Sequence, residues 1–195
     1  MNRTAITRED ILSLENYAAV RDARRSQMIA RKRNRRVDVG PVATFYFENY
    51  DTMWLQVHEM LRAEGGGEGQ IADELAAYNP LIPQGDELVA TFMLEIADEN
   101  RRQRLLATLG GIEATISLKL GDQTIRAVAE EDVARTTEAG KTSAVHFLHF
   151  PFTLAQIAAF RDPAVDCALA IEHENYRHMA GLPPAVRAEL AGDFA

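Results

Sequence analysis

A single cysteine, Cys167, stands among 195 residues. That excludes an internal disulfide framework and any structural zinc site built from cysteines alone. No apolar run approaches the ~18 residues of a membrane span. The N-terminus from Met1 to Asp10 is polar, so a cytoplasmic location is the expectation. The glycine fingerprint of a dinucleotide-binding fold is missing. Gly65-Gly66-Gly67 follows a helical pattern and lacks the P-loop lysine, so it reads as a link and not as a phosphate cradle. No serine or cysteine nucleophile has a well-placed base: Ser143 and His146 are three apart in a strand pattern and point to opposite sides of it. No internal repeat is visible. What is present, 47% hydrophobic and 26% charged residues, is the make-up of a folded domain and excludes disorder and collagen-like chains. The length suits one compact domain.

Charge is unevenly spread. Residues 1–36 hold 10 Arg/Lys against 4 Asp/Glu, whereas the remainder holds 11 against 25. Most of the positive charge lies in Arg21, Arg24, Arg25, Arg31, Lys32, Arg33, Arg35 and Arg36. A cluster this dense is a candidate phosphate surface or a docking face for an acidic partner. It is not interleaved with the aromatics that stack single-stranded bases, and the acidic remainder repels phosphate, so nucleic acid is disfavoured.

The hydrophobic periods outline an α+β chain. Thr7 and Asp10 form a capping box that predicts a helix from about Arg8, followed by a basic helix over 21–33 anchored only by Met28 and Ile29. Gly40-Pro41 breaks the pattern. Val42 to Glu48 then reads as a strand, with Ala43, Phe45 and Phe47 on one face. Met53, Trp54, Val57, Met60 and Leu61 recur at helical spacing over 50–63. Ile71 to Tyr78 is a short helix stopped before Pro80. Leu88, Ala90, Phe92, Leu94 and Ile96 alternate as the buried face of a strand. Asp98 caps a helix running to Leu109. Residues 114–120 and 124–128 read as a hairpin turning at Gly121-Asp122. A helical connection is expected over 130–140. A strand over 143–152, a helix from Leu154 to Phe160, a strand over 165–171 and a helix from Pro183 to about Leu190 complete the chain. The fold expected is a single α+β domain whose largely antiparallel or mixed sheet of about five to six strands is packed by helices. Within it, residues 1–36 are a basic N-terminal helical segment and 37–195 the body.

Two histidine groups carry chemical interest. His146 and His149 alternate across one strand and cannot easily share a ligand. Glu172-His173-Glu174-Asn175-Tyr176-Arg177-His178 follows a strand pattern and reads as a polar exit loop. Carboxylate, imidazole and phenol gathered there could bind a divalent metal or move a proton. The candidate metal or ligand residues are His146, His173, His178, Tyr176, Glu172 and Glu48. A divalent metal is the only cofactor these residues suggest. Cys167 alternates with Val165 and Leu169 and should be buried and inert.

Three strings resemble a known family. Gly40-Pro41 with Phe47-Glu48-Asn49, Ala77-Tyr78-Asn79-Pro80-Leu81-Ile82-Pro83 with Asp86-Glu87-Leu88, and Lys141-Thr142-Ser143-Ala144-Val145-His146-Phe147-Leu148 are similar to the bacterial domain-of-unknown-function family 3501. The tail with His173, Tyr176 and His178 resembles that family's ending. No activity attaches to the family, so no catalytic residue carries over. Its association with rubrerythrin-like and iron–sulfur oxidoreductase proteins implies a redox-linked accessory role.

The expected function is therefore a cytoplasmic binding or accessory protein docking through Arg31, Lys32, Arg33, Arg35 and Arg36. Its partner would be another protein, or a second copy of this chain, with no membrane involved. The alternative is a metal-binding or acid–base enzyme with a histidine-centred pocket.

Overall fold

The computed structural model describes residues 3–65, 67–130 and 141–195. Nine strands among them form two antiparallel sheets. The larger sheet has the order β1-β2-β3-β7-β6 and the smaller β5-β4-β8-β9. The larger comprises β1 (Arg36–Val39), β2 (Ala43–Glu48), β3 (Glu87–Leu94), β6 (Val128–Ala129) and β7 (Val145–Pro151). The smaller comprises β4 (Ile116–Leu120), β5 (Gln123–Arg126), β8 (Cys167–His173) and β9 (Tyr176–Gly181). The fold is α+β, as expected, but the strands divide between two sheets where one was expected. The additional strands are β1, β6 and β9, too short or too polar to show a hydrophobic period.

Strand alternation builds the core. Phe45, Phe47, Leu88, Ala90, Phe92, Leu148 and Phe150 from the larger sheet join Ile116, Leu118, Leu169 and Ile171 from the smaller in one buried cluster. Full burial of each large side chain contributes ~1.5–3 kcal/mol. The other face of the larger sheet is covered by α2 (Tyr50–Glu64) and α3 (Glu68–Tyr78). There Met53, Val57, Leu61, Ile82 and Val89 form a second cluster with Ile6 and Ile11. Covering on both faces explains why Val89, on the off-period of its strand, is as buried as Leu88. The short helices α5 (Leu154–Arg161) and α6 (Pro184–Leu190) close one end through Phe160, Leu190 and Phe194. The helix α4 (Glu99–Leu106), capped by Asp98 as expected, leads toward β4.

The N-terminus departs from expectation. Thr7 and Asp10 do form the box, but around one 3-10 turn, Arg8–Asp10. Buried Ile6 and Ile11 hold this stretch against the second cluster instead of letting a helix propagate. The helix α1 then begins at Leu14, capped by Ser13, and runs unbroken to Lys32. One helix thus replaces two, because no glycine or proline interrupts 14–32. Gly65 ends α2 in the left-handed region and Gly67 caps α3. The expected helical connection over 130–140 falls at 131–140, outside the described residues. No helix of the described residues is long and apolar enough to cross a membrane.

Candidate functional site

The histidines take separate surroundings. His146 lies on the inner face of β7, opposite Phe92 in register, and is completely buried. Its Nε2 is 3.0 Å from both Thr142 Oγ1 and the Ser143 carbonyl. A carbonyl only accepts, so that contact places the proton on Nε2. Its Nδ1 faces Glu113 at 3.8 Å. His149, on the opposite face, has Nδ1 2.9 Å from Glu87 and Nε2 3.6 Å from Glu130. The Glu87 hydrogen bond raises its pKa against the pull of burial. His58 donates from Nδ1 to the Trp54 carbonyl at 2.8 Å and accepts from the Leu12 N–H at 3.0 Å. Burial lowers its pKa and keeps the neutral ring that this pair of bonds requires.

The expected exit loop is the turn of a hairpin. β8 and β9 pair with His173 opposite Tyr176 and Ile171 opposite His178. Period-2 alternation is hidden there because β9 is an edge strand with charged outward residues. His173 reaches the Gly110 carbonyl at 3.2 Å and accepts from the Asn175 N–H. Glu172 points outward to Lys119 at 3.0 Å. The Tyr176 hydroxyl donates to the Val39 carbonyl at 2.8 Å and accepts from Val42 and Ala43 N–H at 3.2 Å. The His178 ring packs on Tyr176, 4.5 Å between centroids. Glu48 is buried on β2 and accepts from Thr91 Oγ1 at 2.8 Å. The structure brings Tyr176 and His178 together and gives His146, Glu172 and Glu48 other neighbours. Among the described residues no three His, Cys, Asp or Glu side chains are placed to hold a metal ion.

The basic cluster divides in the same way. Arg35 is 1% exposed and lies inside the molecule. It donates to the Phe47 and Glu48 carbonyls at 2.9 Å and to Asp193 Oδ1 at 3.2 Å. Such burial removes it from any docking surface. Arg36 pairs with Asp38 and Glu95, and Arg31 pairs with Asp51 and Glu189. Arg21 forks onto Glu59 through two 2.7 Å bonds, and this guanidinium holds the Glu59 carboxyl down at about 2. Arg24, Arg25, Lys32 and Arg33 are exposed and have no ion pair among the described residues.

Where α1 crosses the body, a cleft of about 690 Å³ opens toward the start of α2 and the C-terminal turn. Its apolar wall includes Leu12, Tyr50, Trp54, Ile82 and Pro83. Arg3 lies over the Tyr50 ring at 4.2 Å and Arg24 over the Trp54 ring at 5.2 Å. The Trp54 indole N–H is held by the Asp10 carbonyl at 2.9 Å. The Tyr50 hydroxyl oxygen is buried and faces the Asp10 carboxylate. Arg24 belongs to the basic cluster legible in the sequence, whereas Arg3, Tyr50 and Trp54 join it in the cleft with no signal in the sequence. Trp54 shows only as a core residue of an amphipathic helix, and no local signal joins it to Arg24. A second cleft, of about 750 Å³, lies between the β8–β9 edge and α5–α6, with Phe160, Cys167, Met179 and Leu182 in its walls.

No curated protein matches the chain. A crystal structure from Burkholderia pseudomallei K96243, described as a novel protein of unknown function, is 39% identical. That similarity covers 98% of this chain and 100% of the other, with a TM-score of 0.90. The model of the family described as protein of unknown function DUF3501 matches residues 5–194. With nearly its whole length matched, the chain belongs to that family.

Proposed function

We propose that this chain is a cytoplasmic binding or accessory protein that engages an acidic protein partner through the outward face of α1. The unspent charge on that helix carries the reading. Arg25, Ile29 and Lys32 are spaced four and three apart, so they share one face, with Arg33 following at the helix end. Ile29 is 59% exposed, an apolar contact ringed by cations. The stripe of α1 beside it is engaged: Tyr17 and Met28 are the buried residues of the helix, and Arg21 and Arg31 pair with the body. A helix tethered along one stripe and carrying free cations on the exposed flank next to it suits reversible docking on a surface of opposite sign. The partner class proposed, a rubrerythrin-like or iron–sulfur oxidoreductase protein, and the redox-linked accessory role are what the family resemblance implies.

Titration of the purified chain against a rubrerythrin-like protein, at low and at high salt, tests this. Binding should weaken with salt, because exposed charges are screened beyond ~8–10 Å at physiological ionic strength. Replacing Arg25, Lys32 and Arg33 with glutamine should weaken it at least tenfold. An affinity indifferent to both changes overturns the proposal, as does an α1 face occupied by a second copy of the chain, which sedimentation would reveal.

A further inference from the structure

We infer that the cleft beneath α1 binds a small organic anion that joins a carboxylate to a planar apolar body. The walls divide by chemistry. Tyr50, Trp54, Ile82 and Pro83 present rings and aliphatic edges, the surface a planar guest covers. The carboxylates that line the cleft already face guanidiniums: Asp10 meets Arg3, Asp51 and Glu189 meet Arg31, and Asp193 meets Arg35. Arg24 is the lining cation that has no such partner among the described residues. Its guanidinium lies over Trp54 and is exposed, and a guanidinium's planar fork matches the two oxygens of a carboxylate. The Tyr50 hydroxyl is shielded from solvent and faces the Asp10 carboxylate, which together with burial pushes its pKa up to about 12, so the Tyr50 ring enters the wall as a neutral surface. The volume, about 690 Å³, falls in the range that takes a small molecule.

This inference does not rest on docking by α1, since Arg24 faces the cleft and Arg25, Lys32 and Arg33 do not line it. The chain has one tryptophan, Trp54, which lies in the wall, so its fluorescence reports on this cleft alone. Three probes separate the components of recognition: benzoate, which has ring and carboxylate; inorganic phosphate, which has charge without the ring; and benzylamine, which has the ring with opposite charge. Benzoate should give a saturable change with a dissociation constant on the order of millimolar, as suits so small a ligand. Phosphate and benzylamine should be at least fivefold weaker. Arg24→Gln should weaken benzoate at least fivefold, and Arg24→Lys, which keeps charge and loses the fork, should fall between. Tyr50→Phe, which keeps the ring and loses only the buried hydroxyl, should leave benzoate binding within about twofold. A benzoate response that does not saturate, that phosphate or benzylamine equals, or that survives Arg24→Gln overturns the inference. The variant at Arg25, Lys32 and Arg33 should bind benzoate normally, so failure of one proposal is distinguishable from failure of the other.

Discussion

Arg35 and Asp193 meet in the interior across 158 positions of sequence, with Nη1 3.2 Å from Oδ1. The contact ties the end of the basic segment to the C-terminal turn, and the same guanidinium holds the Phe47 and Glu48 carbonyls. Burial pushes the Asp193 carboxyl up even though Arg35 pulls it down. The pair is therefore costly to desolvate and more costly to break.

Removing one partner exposes that asymmetry. Arg35→Met should destabilise the chain by ~3–5 kcal/mol, since Asp193 is left buried without its cation. Adding Asp193→Leu should recover part of the loss, since the Phe47 and Glu48 carbonyls still lack their donor. A denaturant double-mutant cycle measures the coupling, and additive single effects would contradict the interior pair.

The Tyr176 hydroxyl is a clamp on the turn between β1 and β2. Tyr176→Phe leaves the Val39 carbonyl and the Val42 and Ala43 N–H groups short of a partner, and should cost ~1–3 kcal/mol. Gly40→Ala should cost more. The backbone there has φ +73°, and a Cβ would stand 2.6 Å from the His178 ring and 2.7 Å from the Tyr176 oxygen. Shifts in urea midpoint at unchanged slope give both numbers.

Two imidazoles bend the pH profile in opposite directions. His58 is held below its ordinary 6.5, so the unfolded chain takes up that proton first and stability falls as pH drops below 6.5. His149 is held above 6.5. Its contribution is complete below that value and disappears as pH rises through the raised folded value. Thermal melts across this span should show His149→Gln flattening the alkaline limb and leaving the acid limb intact.

Cys167 gives a chemical check on β8. Burial raises its thiol from 9.0 to about 11, which leaves about a hundredfold less reactive thiolate at neutral pH. Alkylation of the native chain should be slower by at least that factor than alkylation of the denatured chain. Equal rates would place the residue outside the core.

Sequence alone determined much of this molecule, wherever a residue's surroundings follow from its chain neighbours. Alternation marked the inner faces of β2, β3 and β7 and set His146 and His149 on opposite sides. Helical spacing marked α2, and Asn79-Pro80 marked the end of α3. Local rules failed where partners are distant. β9 carries Arg177 and His178 and is a strand because β8 offers it a ladder. Arg35 looked like one more surface cation, and only Asp193 and the carbonyls of β2 made it interior. The same holds for the cleft: Arg24 and Trp54 are 30 positions apart in the chain, and only the crossing of α1 over α2 sets guanidinium over indole. Periodicity is a property of one segment, whereas a site is a property of several, and their meeting is decided by how the faces pack.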